Sequence, residues 1–180
     1  MTHHSGLPLS HGEWALGTVR DSQKGRLYKA EKVLGPLSQR LETTEEMATY
    51  LHKVINRAPI QKRYGKFLRA VLEVRPGYRC RSAFGNYNWI KMPKWSRTQY
   101  IVLHEFAHSL TQRKYGHGVA GHGREYASIY LDLVRFGMGK EAHATLLASF
   151  KEHKVRYRVS GGKAKPVHTV RVKTNVVARK

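Results

Sequence analysis

Between Tyr100 and Val134 the chain reads YIVLHEFAHSLTQRKYGHGVAGHGREYASIYLDLV, and the side chains in it that could do metal chemistry are His104, Glu105, His108, His117, His122 and Glu125. Residues four apart on a helix stand one above the other, about 6 Å apart along the axis, so His104 and His108 can aim a ring nitrogen at one point. A zinc ion at about 2.1 Å from each nitrogen fits that span. Glu105 is turned by about 100° around the same helix, which places it to hydrogen-bond a water at the metal without itself being a ligand. Zinc held by neutral histidines lowers the pKa of water towards about 7, and Glu105 can take the proton as that water attacks a polarised carbonyl. Peptide hydrolysis is the reaction that matches best.

The bare pattern H-E-x-x-H should arise by chance in roughly 0.04 of chains with this many His and Glu, so it needs support from its surroundings. Tyr100, Ile101, Leu103, Ala107 and Leu110 give the helix an apolar body that would set the histidines against a core. A catalytic zinc site also needs a third protein ligand and an open position. His122 is the favoured third ligand: it is read as opening a helix whose face continues through Tyr126, Ile129 and Leu133, and Gly121 and Gly123 beside it permit a close backbone approach. His117 lies in the intervening loop with no helix to direct it. Glu125 reads equally well as a first-turn acid favoured by the helix dipole. Both stay open as alternatives to His122.

These side chains need a scaffold, and the pattern predicts an α+β domain. RDSQKGRLYKAEKVLGPLSQRL predicts a first helix, N-capped by Asp21 or Ser22, with Leu27, Ala30, Val33, Leu34 and Leu37 at helical spacings and a break near Gly35-Pro36. A capping box at Thr43 and Glu46 opens a second helix carrying Met47, Tyr50, Leu51, Val54 and Ile55, with a stop at Pro59. FLRAVLEVRPG, YRCRSAFG and YNWIKMP then read as a small antiparallel sheet of about three strands. A second capping box, Ser96 with Gln99, opens the histidine helix, and Gly116 ends it. GREYASIYLDLVRFG and GKEAHATLLASFKEH predict two more helices. From Lys151 to Lys180 ten Lys and Arg face one acid, and KVRYRVS and VHTVRVK around GGKAKP read as a basic β-hairpin or an unstructured tail. The division expected is a flexible segment at 1–20, one α+β domain at 21–150 carrying the histidines, and a basic extension at 151–180.

In 180 residues, 33 Lys plus Arg against 12 Asp plus Glu leave a net charge of +21, which points to a polyanionic partner, with nucleic acid first. Interleaved aromatic and basic residues (Tyr78, Phe84, Tyr87, Trp89 and Trp95 among Arg75, Arg79, Arg81, Lys91, Lys94 and Arg97) can stack bases and hold phosphates, or can be core and solvated face respectively. YNWIKMP could also pair with an extended substrate by edge addition. The single cysteine, Cys80, excludes an internal disulfide and any multi-thiolate zinc site, and reads as a strand core residue. No apolar run reaches membrane-spanning length and no secretory signal opens the chain, so a soluble cytoplasmic protein without membrane contact is expected.

HEFAH followed by GHGREYASIYLDL resembles the SprT-like zinc metallopeptidases over roughly residues 60–137, and the opening RDSQKGRLYKAEKV is similar to small actinobacterial and phage-encoded metallopeptidases. The first resemblance implies a zincin-like fold, with zinc on His104, His108 and His122 and Glu105 as catalytic acid/base. It also implies action on proteins held on DNA. Many such relatives carry a cysteine-rich zinc ribbon after the protease domain; this chain has no cysteine there. The alternatives are a nucleic-acid-binding protein with a structural or vestigial metal, and a zinc hydrolase of another amide or ester.

Overall fold

The computed structural model describes residues 19–68 and 72–158. Six helices, α1 (Lys24–Glu31), α2 (Thr44–Ile55), α3 (Ala58–Tyr64), α4 (Gln99–Tyr115), α5 (Arg124–Gly137) and α6 (Lys140–Glu152), accompany three short strands, β1 (Glu73–Pro76), β2 (Phe84–Gly85) and β3 (Trp89–Met92). The class is α+β, as the periodicity predicts. None of these helices is long and apolar enough to cross a membrane.

Local signals explain most of the boundaries. The α2 capping box forms: Thr43 Oγ1 accepts the Glu46 N–H at 3.1 Å, and the Glu46 carboxylate reaches back to the Glu42 N–H at 2.9 Å. Met47, Leu51 and Val54 are the buried face of that helix. Pro59 does not merely end it. It sits in the first turn of α3, where a missing N–H has no intrahelical partner to lose, so the chain restarts a short helix there.

Two predicted caps give way to other bonds. Helix α1 begins after Gln23 with no side-chain cap, and it gives way after Glu31 to a tight turn at 32–34. Helix α4 starts after Thr98 rather than Ser96, because Ser96 Oγ donates to the Pro93 carbonyl at 2.9 Å and the Gln99 side chain pairs with Gln39. An isolated bridge between Arg40 and Thr98 ties the same two segments. Gly116, at φ 67°, ends α4 as expected of a glycine stop.

The sheet is mixed, which corrects the antiparallel expectation. Its order is β1-β3-β2, with β1 parallel to β3 (Glu73 opposite Trp89, Pro76 opposite Met92) and β2 antiparallel to β3 (Phe84 opposite Lys91). YRCRSAFG, read as a strand, is mostly a turn that carries the chain past β3 before only Phe84 and Gly85 pair. Cys80 accordingly lies half-buried in that turn and not in a strand. The β2–β3 connection is fixed by Asn86, whose Oδ1 accepts the N–H groups of Asn88 and Trp89 at 3.0 Å each.

The core lies where α4, α5 and α6 pack, with Leu103, Phe106, Leu110, Tyr130, Leu133 and Phe150 wholly buried. Helix α1 joins it through Leu27 and Ala30 and through Ser149 Oγ, which donates to the Ala30 carbonyl at 3.0 Å. After α6 the chain folds back: Val155 is buried, the Arg156 N–H donates to Gln23 Oε1 at 2.9 Å, and the Arg158 N–H donates to Ser128 Oγ at 2.6 Å. The flexible segment expected at 1–20, but for its last two residues, and nearly all of the basic hairpin or tail fall outside the described residues.

Candidate metal centre

His104 and His108 project from the middle of α4, one turn apart, and their Nε2 atoms lie 3.2 Å from each other. His122 comes from the loop between α4 and α5, and its Nε2 is 3.4 Å from that of His104. One nitrogen from each of the three rings thus falls within a cluster no wider than 4.8 Å. Two nitrogens each about 2.1 Å from a common centre, at a tetrahedral angle, stand about 3.4 Å apart, so the spacing suits one metal ion.

The far side of two rings carries a carboxylate. His104 Nδ1 is 2.7 Å from Glu31 Oε2, and His122 Nδ1 is 2.7 Å from Asp21 Oδ2. When those Nδ1–H groups donate to the carboxylates, both Nε2 atoms keep bare lone pairs. Two lone pairs facing each other at 3.4 Å repel unless a cation lies between them. The donor set therefore fits a divalent metal on physical grounds independent of the motif.

His122 does not open α5. It stands two residues before it, and its direction is set by clamps from the chain's beginning: Asp21 Oδ2 also accepts the His122 N–H at 3.1 Å, and Gln23 Nε2 donates to the His122 carbonyl at 2.8 Å. The helical stripe of Tyr126, Ile129 and Leu133 is wholly buried as predicted. Tyr126 also reaches α4, its hydroxyl donating to the His104 carbonyl at 3.1 Å. His117 is exposed in the loop and outside the cluster. Glu125 is outside it too, paired with Arg124 at 3.1 Å and Arg158 at 2.9 Å.

Burial pushes the Glu105 carboxyl up to about 7; His104 opposes this and Glu31 adds to it. Burial, with His104 and His122 nearby, holds His108 well below the ordinary imidazole range. Burial and His104 also lower His122, against the pull of Asp21. Burial would lower His104 too, but the charge and hydrogen bond of Glu31 outweigh it and hold that ring higher. The set favours the neutral form at His108 and His122, while His104 can share positive charge with Glu31 behind it.

Gly85 brings the sheet to this helix. A Cβ there would lie 2.2 Å from the Glu105 carbonyl oxygen, so only glycine permits the approach of β2 to α4. Because β3 is the central strand, paired with β1 over Trp89–Met92 and with β2 at Ile90 and Lys91, it offers no open edge at its middle for strand addition.

Sequence reasoning missed Asp21, Gln23 and Glu31, together with Tyr28, whose ring lies 5.0 Å from His122 and 5.5 Å from His104. A signal was present: Asp21 and Glu31 are the only acids in RDSQKGRLYKAEKV, and metal-binding histidines regularly need carboxylate partners. In comparisons with family models, curated proteins and solved structures, nothing matches this chain. The functional reading rests on the site itself.

Proposed function

We propose that the chain is a zinc-dependent endopeptidase acting on proteins associated with nucleic acid. The observation that carries this is the meeting of three imidazole Nε2 atoms from α4 and the α4–α5 loop beside a buried glutamate, with carboxylates behind two of the rings. Among the described residues the cluster offers three ligands and no fourth, the arrangement of a site that leaves a position for substrate or water. A structural zinc closed by four protein ligands is less well served.

His104, His108 and His122 would hold the ion through Nε2, with Glu31 and Asp21 fixing the tautomer and rotation of two rings. Zinc, when bound, supplies a Lewis acid that polarises a carbonyl and acidifies water. Glu105 is the proton carrier. Its carboxylate accepts the proton of the attacking water and delivers it to the leaving amide nitrogen, and a resting pKa pushed up to about 7 by burial suits both transfers near neutrality. The buried Tyr126 ring and the partly exposed Tyr28 ring pack against His122 at 5.1 and 5.0 Å. The net charge of +21 supports substrates gathered on a polyanion, and the SprT-like motifs accord with DNA as that polyanion.

The test is metal analysis of wild type and His122→Ala, joined to proteolysis of a protein substrate with and without single- and double-stranded DNA. One zinc per chain, its loss in His122→Ala, and proteolysis abolished by chelation are expected. Full zinc occupancy in His122→Ala, or proteolysis indifferent to chelation, would overturn the proposal.

A further inference from the structure

The three strands alternate their side chains between two faces, as the pleat requires. Val74, Ile90, Met92 and Gly85 face the helices, so Glu73, Arg75, Trp89, Lys91 and Phe84 share the other face. Apolar residues on an outer face ordinarily retreat from water, yet Phe84 is 52% exposed. Its ring is 5.4 Å from that of Trp89, and the Arg75 guanidinium lies 5.1 Å over the Trp89 ring. Lys91 sits between Arg75 and Phe84 in register.

Two more exposed aromatics stand on the turns past the end of the sheet. Gly77 donates its N–H to the Met92 carbonyl and abuts Pro93, which sets the turn after β1 beside the turn after β3. Tyr78 on the first and Trp95 on the second are 72% and 57% exposed. Exposed Arg79, Arg81 and Lys94 stand on the same turns, and Glu73 is the only acid between 73 and 95.

We propose that this open sheet face binds an unpaired nucleic-acid strand, with bases stacked on Phe84 and Trp89 and phosphates held by Lys91 and by Arg75, which is also paired with Glu73 at 2.6 Å. Aromatic rings displayed on an open sheet among cations are a stacking platform that every base can use. A duplex keeps its base faces hidden and can use only the cations. An acidic protein would use the cations and leave the rings without a role. The inference deepens the proposed function and rests on its nucleic-acid element. It also gives that element a place: the outer face of the sheet whose inner face, at Gly85, packs on the backbone of Glu105.

The test uses the full chain with its basic C-terminal extension intact, so that any loss belongs to the sheet. Binding of a labelled oligothymidylate of about 15 nucleotides and of a duplex of equal length is measured by anisotropy over a salt series, for wild type, Phe84→Ala and Lys91→Ala. Phe84→Ala should weaken the single strand about ten-fold and the duplex less than about two-fold. Lys91→Ala should lower the single-strand salt slope by about 0.7. Zinc content and melting temperature are followed in parallel to show that each variant is folded. Wild-type affinity of both variants for the single strand would overturn this platform while leaving nucleic-acid association by the rest of the chain standing. Equal weakening of strand and duplex by Phe84→Ala would overturn the stacking, as would polyglutamate competing as well as the oligonucleotide. A wild type that binds neither nucleic acid would overturn both this inference and the nucleic-acid part of the proposed function.

Discussion

Replacing Asp21 by alanine removes two bonds to one residue: the 2.7 Å contact with His122 Nδ1 and the 3.1 Å bond from the His122 N–H. Replacing Glu31 by alanine removes one, the 2.7 Å contact with His104 Nδ1. Loss of such a carboxylate partner costs about 10- to 100-fold in metal affinity, or about 1.4–2.7 kcal/mol. Asp21→Ala belongs at the upper end, since His122 sits in a loop and Asp21 also fixes its backbone, whereas His104 is held by the body of α4. Asp21→Asn keeps an acceptor oxygen but not the charge, and about a ten-fold loss is expected. The assay is competition for zinc against a chromogenic chelator, using full chain at fixed pH and ionic strength. The melting temperature of each variant without metal separates weakened affinity from a damaged fold. Wild-type zinc affinity in both Asp21→Ala and Glu31→Ala would refute the assignment of these acids, and with it the lone-pair argument for a cation at the centre.

Glu105→Gln should keep one zinc per chain while proteolysis falls at least about 10²-fold; an active variant with full zinc would remove Glu105 from the chemistry. Gly85→Ala should destabilise the fold by about 1–3 kcal/mol or more in urea unfolding, because the new Cβ meets the Glu105 carbonyl oxygen at 2.2 Å; unchanged stability would mean that β2 can move off α4 at little cost. His117→Ala should leave zinc content and proteolysis as in wild type, since that ring is exposed and outside the cluster. In the chelated protein, His108 and His122 have depressed folded pKa values, so below about pH 6.5 the unfolded chain takes up protons that the folded chain refuses. Their contribution is present above that pH and is lost as it falls. The raised His104 and the Glu105 carboxyl, pushed up to about 7, act oppositely, since the folded chain keeps protons there that the unfolded chain releases, so Glu105→Gln should make the melting temperature fall more steeply between pH 7 and 5.5 than in wild type. Equal pH dependence of the two proteins would contradict the balance.

Helices were legible wherever one periodic face met a buried partner, as in α2 and α5, because 3.6-residue spacing survives in the sequence whatever the surroundings. The parallel pairing of β1 with β3 was not, since strand direction depends on where the chain passes between strands and not on the strands' own residues. The Ser96–Gln99 cap failed for the same kind of reason: Gln39, sixty residues before Gln99, competes for the side chain. At the site, spacing within one helix placed His104, Glu105 and His108, and the buried stripe of α5 brought His122 close. Asp21 and Glu31 act across 101 and 73 residues of chain, and no local pattern records contacts of that span.

The most direct measurement is zinc-edge X-ray absorption on the full chain loaded with one equivalent of the metal. Three imidazole nitrogens at about 2.0–2.1 Å with one further light ligand are predicted, and substitution of His122 should reduce the imidazole count by one. Four protein ligands at wild type, or an imidazole count unchanged by His122→Ala, would contradict an open centre built on His104, His108 and His122.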